Sequence, residues 1–349
     1  MRITALGLAG LLSLAACGPI GGTEPLGDGA SGAGGLGSSG AGGSAGAAPA
    51  PRPANPSGKQ SLIWIWQNYN ITLANVLENA NSFTHVSPAL YQLNYDYKSG
   101  VAQGEVADGL YGGAAGKAMA AQVHAAGLKI VPLMYAGAGN ANGTDQGIQN
   151  VLSDSAVQQS FIDSHVQEAV DNDYDGWNLD WEVLTTTYSQ YGQSLITFLT
   201  AFKSALHTHN MELSLDLGGW YIKQCKASGG SGLVDLQALG PAVDQAIIED
   251  YAGTFAGSTG TCPNPVPDQL DCSVFGNGLS VMCATTSSVV SIGLIAPGTN
   301  PFADQALAAT SSYGFKSVAL WPDDSPILDS QGIPSGGTWY SVLGAWLSE

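Results

Sequence analysis

The sequence predicts an α/β fold, specifically a (β/α)8 TIM barrel, and three observations carry that expectation. Short apolar runs recur eight times after residue 58. Stretches of helical period lie between most of them, and near-continuous apolar strands alternating with helices indicate a parallel sheet covered on both faces. The remaining length, about 290 residues, suits one barrel domain. In order, the strands are expected at Leu62–Trp66, His85–Leu93, Lys129–Tyr135, Gly176–Glu182, Glu212–Leu217, Gln245–Tyr251, Val289–Ala296 and Ser317–Trp321. Amphipathic helices are expected at Ala114–Ala126, Ser155–Val170 and Tyr191–His207, with a shorter one at Phe302–Tyr313 and a closing one at Trp339–Leu347. The alternative is a doubly wound open sheet. It needs no eighth strand and often carries a glycine fingerprint after its first strand. Here Leu62-Ile63-Trp64-Ile65-Trp66 runs into Gln67-Asn68-Tyr69 instead.

Charge narrows the function classes. Charged residues make up 11% of the 349, with 28 acidic and 10 basic side chains and a net charge of −18. An average globular protein is roughly 25% charged. Both arginines, Arg2 and Arg52, lie near the N-terminus. A nucleic-acid binder needs a basic footprint to neutralise phosphates, and sites for phosphate or carboxylate usually use an arginine fork. A neutral substrate is expected.

The N-terminus reads as an address and a tether. Arg2 precedes an apolar run, Ile3 to Leu14, too short to span a bilayer. It ends in Leu14-Ala15-Ala16-Cys17, which resembles the lipobox of bacterial lipoproteins, with Cys17 as the lipidated residue. The alternative is a plain secretory signal with an incidental cysteine. Both export the chain, and the first places it on the cell envelope or surface, with release as a further outcome. Residues 18–58 are Gly, Ala, Ser and Pro with few large apolar groups, so they cannot offset their ordering entropy. As a flexible linker they would reach about 35 Å. The expected organisation is 1–17 signal, 18–58 linker and 59–349 (β/α)8 barrel domain, acting as a monomer. Cys225, Cys262, Cys272 and Cys283 remain, an even count that favours two disulfides in an exported chain, with all three pairings open. Zinc would need closer spacing. The five histidines form no metal spacing on a strand end, and all are read as structural. No metal or cofactor is expected.

The fourth run carries the chemistry. In Asp175-Gly176-Trp177-Asn178-Leu179-Asp180-Trp181-Glu182, alternation places Asn178, Asp180 and Glu182 on one face and Leu179, Trp181 and Val183 on the other. Barrel enzymes set catalytic groups at the C-terminal ends of strands, and burying carboxylates together is costly unless they act. Two alternatives stand beside this. One is a purely structural acidic strand. The other is a calcium loop, since Asp171-Asn172-Asp173-Tyr174-Asp175-Gly176 with Glu182 fits the EF-hand pattern. Against calcium, Asn178 occupies an ordinarily apolar loop position, and the β-branched run near Thr185 is poor for an exiting helix.

Asp175-Gly176-x-Asn178-x-Asp180-x-Glu182 resembles the DGxDxDxE signature of glycoside hydrolase family 18, with Asn178 in place of the commoner Asp. Phe83-Thr84-His85-Val86 with Tyr91 resembles that family's second strand. Gly314–Trp321 resembles its eighth, which ends in a tryptophan under the reactive sugar. Glu249-Asp250-Tyr251 aligns with its sixth-strand tyrosine, with Ala252 where an acid or amide is usual. Met134-Tyr135-Ala136-Gly137 only faintly echoes its third. The resemblance implies a substrate-assisted retaining mechanism, an exception to the two-carboxylate scheme. Glu182 would be the general acid and base. Asp180 would hold the substrate's acetamido N–H, Tyr251 would orient that group, and Asn178 would donate to Asp180. Glu249, Tyr135, Trp220 and Trp321 would line the sugar site; Trp64, Trp66 and Tyr91 are further aromatic candidates, shared with a plain core role. The implied activity is hydrolysis of β-1,4-linked N-acetylglucosamine glycans, chitin or chitooligosaccharides first. A peptidoglycan or N-glycan-core hydrolase of the same family and a non-catalytic, lectin-like barrel are the competing functions.

Overall fold

The computed structural model describes residues 57–66, 73–94, 97–98, 113–136, 146–181, 185–218, 236–249, 289–295, 303–312, 314–321, 326–328 and 334–349. Its strands are β1 (Gln60–Ile65), β2 (His85–Gln92), β3 (Lys129–Ile130), β4 (Leu133–Tyr135), β5 (Gly176–Asp180), β6 (Glu212–Gly218), β7 (Gln245–Glu249), β8 (Val290–Ile295) and β9 (Ser317–Trp321). All pair in parallel, in sequence order, and β1 pairs with both β2 and β9. The sheet therefore closes into an eight-stranded barrel in which β3 and β4 together form the third stave. Pro132 lies between those two pieces and has no N–H to give the ladder. A closed ring excludes the open doubly wound sheet.

The helices are α1 (Leu73–Glu78), α2 (Gly113–Ala125), α3 (Gln146–Ser153), α4 (Ser155–Asn172), α5 (Thr185–His207), α6 (Leu236–Leu239), α7 (Ala303–Ser312) and α8 (Trp339–Ser348). Helices α1 and α6 are additional to the sequence expectation, and three further differences bear on the argument. The third gap holds α3 as well as α4. A small antiparallel hairpin, β10 (Pro326–Leu328) with β11 (Pro334–Thr338), lies between β9 and α8. And α5 begins at Thr185, where β-branched residues argued for a poor helix start. That argument against the calcium loop fails. The loop is excluded on other grounds: residues 176–180 are a stave of the closed sheet, paired with β4 and β6.

Alternation divides each strand between two cores. Trp177, Leu179 and Trp181 face outward into the large layer between strands and helices, with Phe161, Phe198 and Phe202. Inward-facing Leu62, Trp64, Ala89, Val131, Leu133, Ile247 and Ala319 fill the barrel. Burial of each large apolar side chain contributes about 1.5–3 kcal/mol. Two residues of the acidic motif serve this framework. Asp175 accepts hydrogen bonds from the Ile130 amide (2.7 Å) and His124 Nε2 (2.8 Å), fastening β3 to the foot of β5. Gly176 lies so close to β6 that a Cβ would collide with the Glu212 carbonyl oxygen.

Candidate active site

The inner face of β5 points into the barrel at its C-terminal mouth. Asn178 is fully buried and is the centre of a polar network. Its Oδ1 accepts from Trp64 Nε1 (2.8 Å) and Ser87 Oγ (2.9 Å), and its Nδ2 donates to Asp216 Oδ1 (2.7 Å). The amide expected to serve Asp180 is thus directed to Asp216. Asp180, one step nearer the mouth, is half-buried and in register with Tyr135 on β4 and Asp216 on β6. Asp216 is 3% exposed. Sequence reasoning missed it, although Glu212, Ser214 and Asp216 alternate in the pattern that singled out Asn178 and Asp180.

Aromatic rings form the wall above this network. Trp66 lies 5.0 Å from Tyr135 and 6.1 Å from Trp321, centre to centre, and Trp64 lies 5.8 Å from Trp321. Trp66, Tyr135 and Trp321 are partly buried, so ring surface remains open at the mouth. Glu249, at the end of β7, is also half-buried and pairs with Gly218. The structure therefore brings Asn178, Asp180, Tyr135, Glu249 and Trp321 to one end of the barrel, with the further aromatic candidates Trp64 and Trp66, and adds Asp216. Tyr91 does not belong there. It lies outside the barrel, where its hydroxyl bonds to Glu168 and Tyr174 and packs on Trp177. Burial first, then Tyr174 and Glu168, push that hydroxyl far above the usual range. Glu182, Tyr251, Trp220, Cys17 and the four remaining cysteines lie outside the described residues.

The opposite mouth is different in kind. A cavity of about 230 Å³ is lined there by Gln60, His85, Val131, Glu212, Ser214, Asp244 and Gln245, residues at the N-terminal ends of strands. Glu212 takes hydrogen bonds from His85 Nε2 (3.0 Å) and from Lys129. Burial would raise its pKa, but those two partners outweigh burial and hold the carboxyl down at about 2. A carboxylate so fixed suits an ion pair and is a poor proton donor at neutral pH. His85, His124, His165 and His207 all have protein partners away from the upper mouth. Among the described residues no group of three or more His, Cys, Asp or Glu is placed to hold a metal ion.

A closed (β/α)8 barrel with carboxylates and aromatics at its C-terminal mouth is the class that fold and site define. No family model and no curated protein matches the sequence. Solved structures do. A chitinase from Chromobacterium violaceum superposes with a TM-score of 0.60 at 15% identity, covering 83% of this chain and 99% of its own. A class V chitinase from Nicotiana tobaccum in complex with NAG4 gives 0.59 at 11% identity, covering 83% and 99%. The Bacillus megaterium spore cortex-lytic enzyme SleL gives 0.54 at 13% identity, covering 75% and 70%. At these identities the likeness establishes the fold.

Proposed function

We propose that the protein is a glycoside hydrolase of family 18 that cleaves β-linked N-acetylglucosamine glycans by substrate-assisted retention. The observation that carries this reading is the placement of Asp180 on the fourth stave of a closed barrel, at the catalytic end, beneath the Trp66–Tyr135–Trp321 wall. Solved structures of the same fold include chitinases, one of them holding NAG4.

In this reading Glu182 protonates the leaving glycosidic oxygen and later activates water. The substrate's acetamido oxygen attacks C1, and Asp180 holds the acetamido N–H and stabilises the positive charge that develops on the ring. Tyr251 orients the acetamido group. The aromatic rings stack on the apolar faces of the sugars, and Glu249 and Trp220 complete the pocket. Residues 1–17 export the chain and Cys17 anchors it through lipid, so the barrel works on glycans outside the cytoplasm. Chitin or chitooligosaccharide is favoured over a strongly anionic wall polymer by the net charge of −18. The likeness to a spore cortex-lytic enzyme keeps peptidoglycan as a second substrate to test.

The test is turnover of a fluorogenic chitobioside beside product analysis on chitin oligomers, N-glycans and peptidoglycan. Glu182→Gln is expected to lose about 10³-fold or more in kcat while retaining glycan binding. Unchanged turnover in that variant rejects the assignment. Binding without turnover in the wild type shows a lectin-like barrel instead.

A further inference from the structure

We propose that Asp216 is a positioning residue for the acid strand, and that the amide of Asn178 and the carboxylate of Asp216 work as one interchangeable pair beside Asp180. The inference rests on the glycosidase reading of this mouth. Trp64 Nε1 can only donate, so the atom of residue 178 that faces it at 2.8 Å must be an oxygen. Ser87 Oγ bonds to the same oxygen. The orientation of the amide is therefore forced, and its nitrogen is the atom that meets Asp216 at 2.7 Å.

That contact has an electrostatic consequence. With nitrogen at 178 the pair attracts. With a carboxylate there, two acceptor oxygens would face each other at that distance and would need a proton between them. Asp216 is buried and in register with Asp180 on the neighbouring strand, so two inward carboxyls stand side by side with the amide between them on the diagonal. From β7, the residue in register with Asp216 is the neutral Ile247, and Glu249 lies two residues on. Asp216 thus adds negative charge near the centre where positive charge develops. Asn178 keeps that charge from repelling its own strand.

The experiment is a four-protein cycle: wild type, Asn178→Asp, Asp216→Asn and the double variant. It reads kcat and KM on the chitobioside, Tm at neutral pH, and the Trp64 indole N–H resonance. Each single variant is expected to lower kcat about tenfold or more with KM within about threefold. The double variant, which exchanges acid and amide, is expected to return kcat to within about threefold of wild type. The Trp64 signal persists in all four, because its acceptor is an oxygen of residue 178 in each. An unaffected Asp216→Asn, or a double variant carrying the product of both losses, overturns the proposal. Should Asn178→Asp fold poorly, recovery of its yield and Tm by Asp216→Asn reads the same coupling. Wild-type turnover that Glu182→Gln abolishes upholds the glycosidase reading independently. If the wild type turns over no glycan, that reading and the positioning role fall together. The Tm cycle then still decides the pair: non-additive shifts uphold the coupling, and additive shifts reject it.

Discussion

His165, wholly buried outside the barrel, and Glu212, partly buried within its lower mouth, each tie folding to pH in a separate window. His165 is wholly buried, stacked on Phe161 at 3.8 Å, and donates from Nδ1 to the Phe161 carbonyl (2.6 Å). Burial lowers its pKa from 6.5 to about 4, only partly opposed by that bond. The folded state therefore favours neutral His165, and stability is lost as pH falls from about 6.5 to about 4. Glu212 is lowered from 4.5 to about 2, so its contribution is complete above about 4.5 and disappears as pH falls to about 2. Urea unfolding across pH should show two separable declines. Glu212→Gln should remove the lower one and cost about 1–2 kcal/mol at pH 7, discounted for partial exposure. An unchanged acid limb in that variant would show the carboxylate to be unpaired in solution. Asp175, despite its place in the signature, belongs with these framework residues. Asp175→Asn should lower Tm through the Ile130 and His124 contacts, about 1–3 kcal/mol, and leave kcat of the folded protein unchanged.

At the scale of elements, β5 shows how closely a stave is fitted to its neighbours. Gly176→Ala would press a methyl group into the β6 backbone at Glu212, and no flexible side chain is there to yield. A loss of more than about 3 kcal/mol is expected, read as Tm or as soluble yield. All eight staves were legible in the sequence because each is a short apolar run with inward and outward positions alternating. Asn178 and Asp180 were legible for the same reason. What escaped has physical causes. The third stave is interrupted because Pro132 cannot continue the ladder, a break that hydrophobicity does not reveal. The start of α5 at Thr185 contradicts local propensity: Leu195, Phe198, Leu199 and Phe202, buried against the sheet, stabilise a helix its first turn disfavours. Helix α3 does carry a helical period, with Ile148, Val151 and Leu152 buried on one face, but at eight residues it falls short of the length that marks a helix by pattern alone. Asp216 was overlooked although Glu212, Ser214 and Asp216 alternate along β6, because its partner Asn178 on the neighbouring stave is fixed only by the register. Asn178 was assigned the wrong partner because diagonal contacts between staves depend on register.

The whole molecule is closed at two levels. β1 joins β9, and α8 then covers the joint. Trp339 and Leu343 are completely buried, Gly344 packs on Ser82, and Lys59 Nζ bonds to the Trp346 carbonyl (2.8 Å). Ending the chain after Thr338 would delete these side chains and uncover what they pack on, Phe83 among it, at about 1.5–3 kcal/mol for each large apolar side chain lost from the core. The expected outcome is a protein without a cooperative melting transition. Ser57 Oγ also reaches the Leu347 carbonyl (3.1 Å), so the integrated domain starts slightly before the boundary at 59. A chain begun at Ser57 should melt with the full-length protein, whereas one begun at Gln60 should melt lower.

The entry of the chain at Gln60 has a consequence for bearing. β1 starts at the lower rim of the barrel, beside the Glu212 cavity, while Asp180 and the tryptophans open at the upper rim. A load applied at Ser57 is therefore borne at the lower rim, at the far end of the barrel from Asp180 and the aromatic wall.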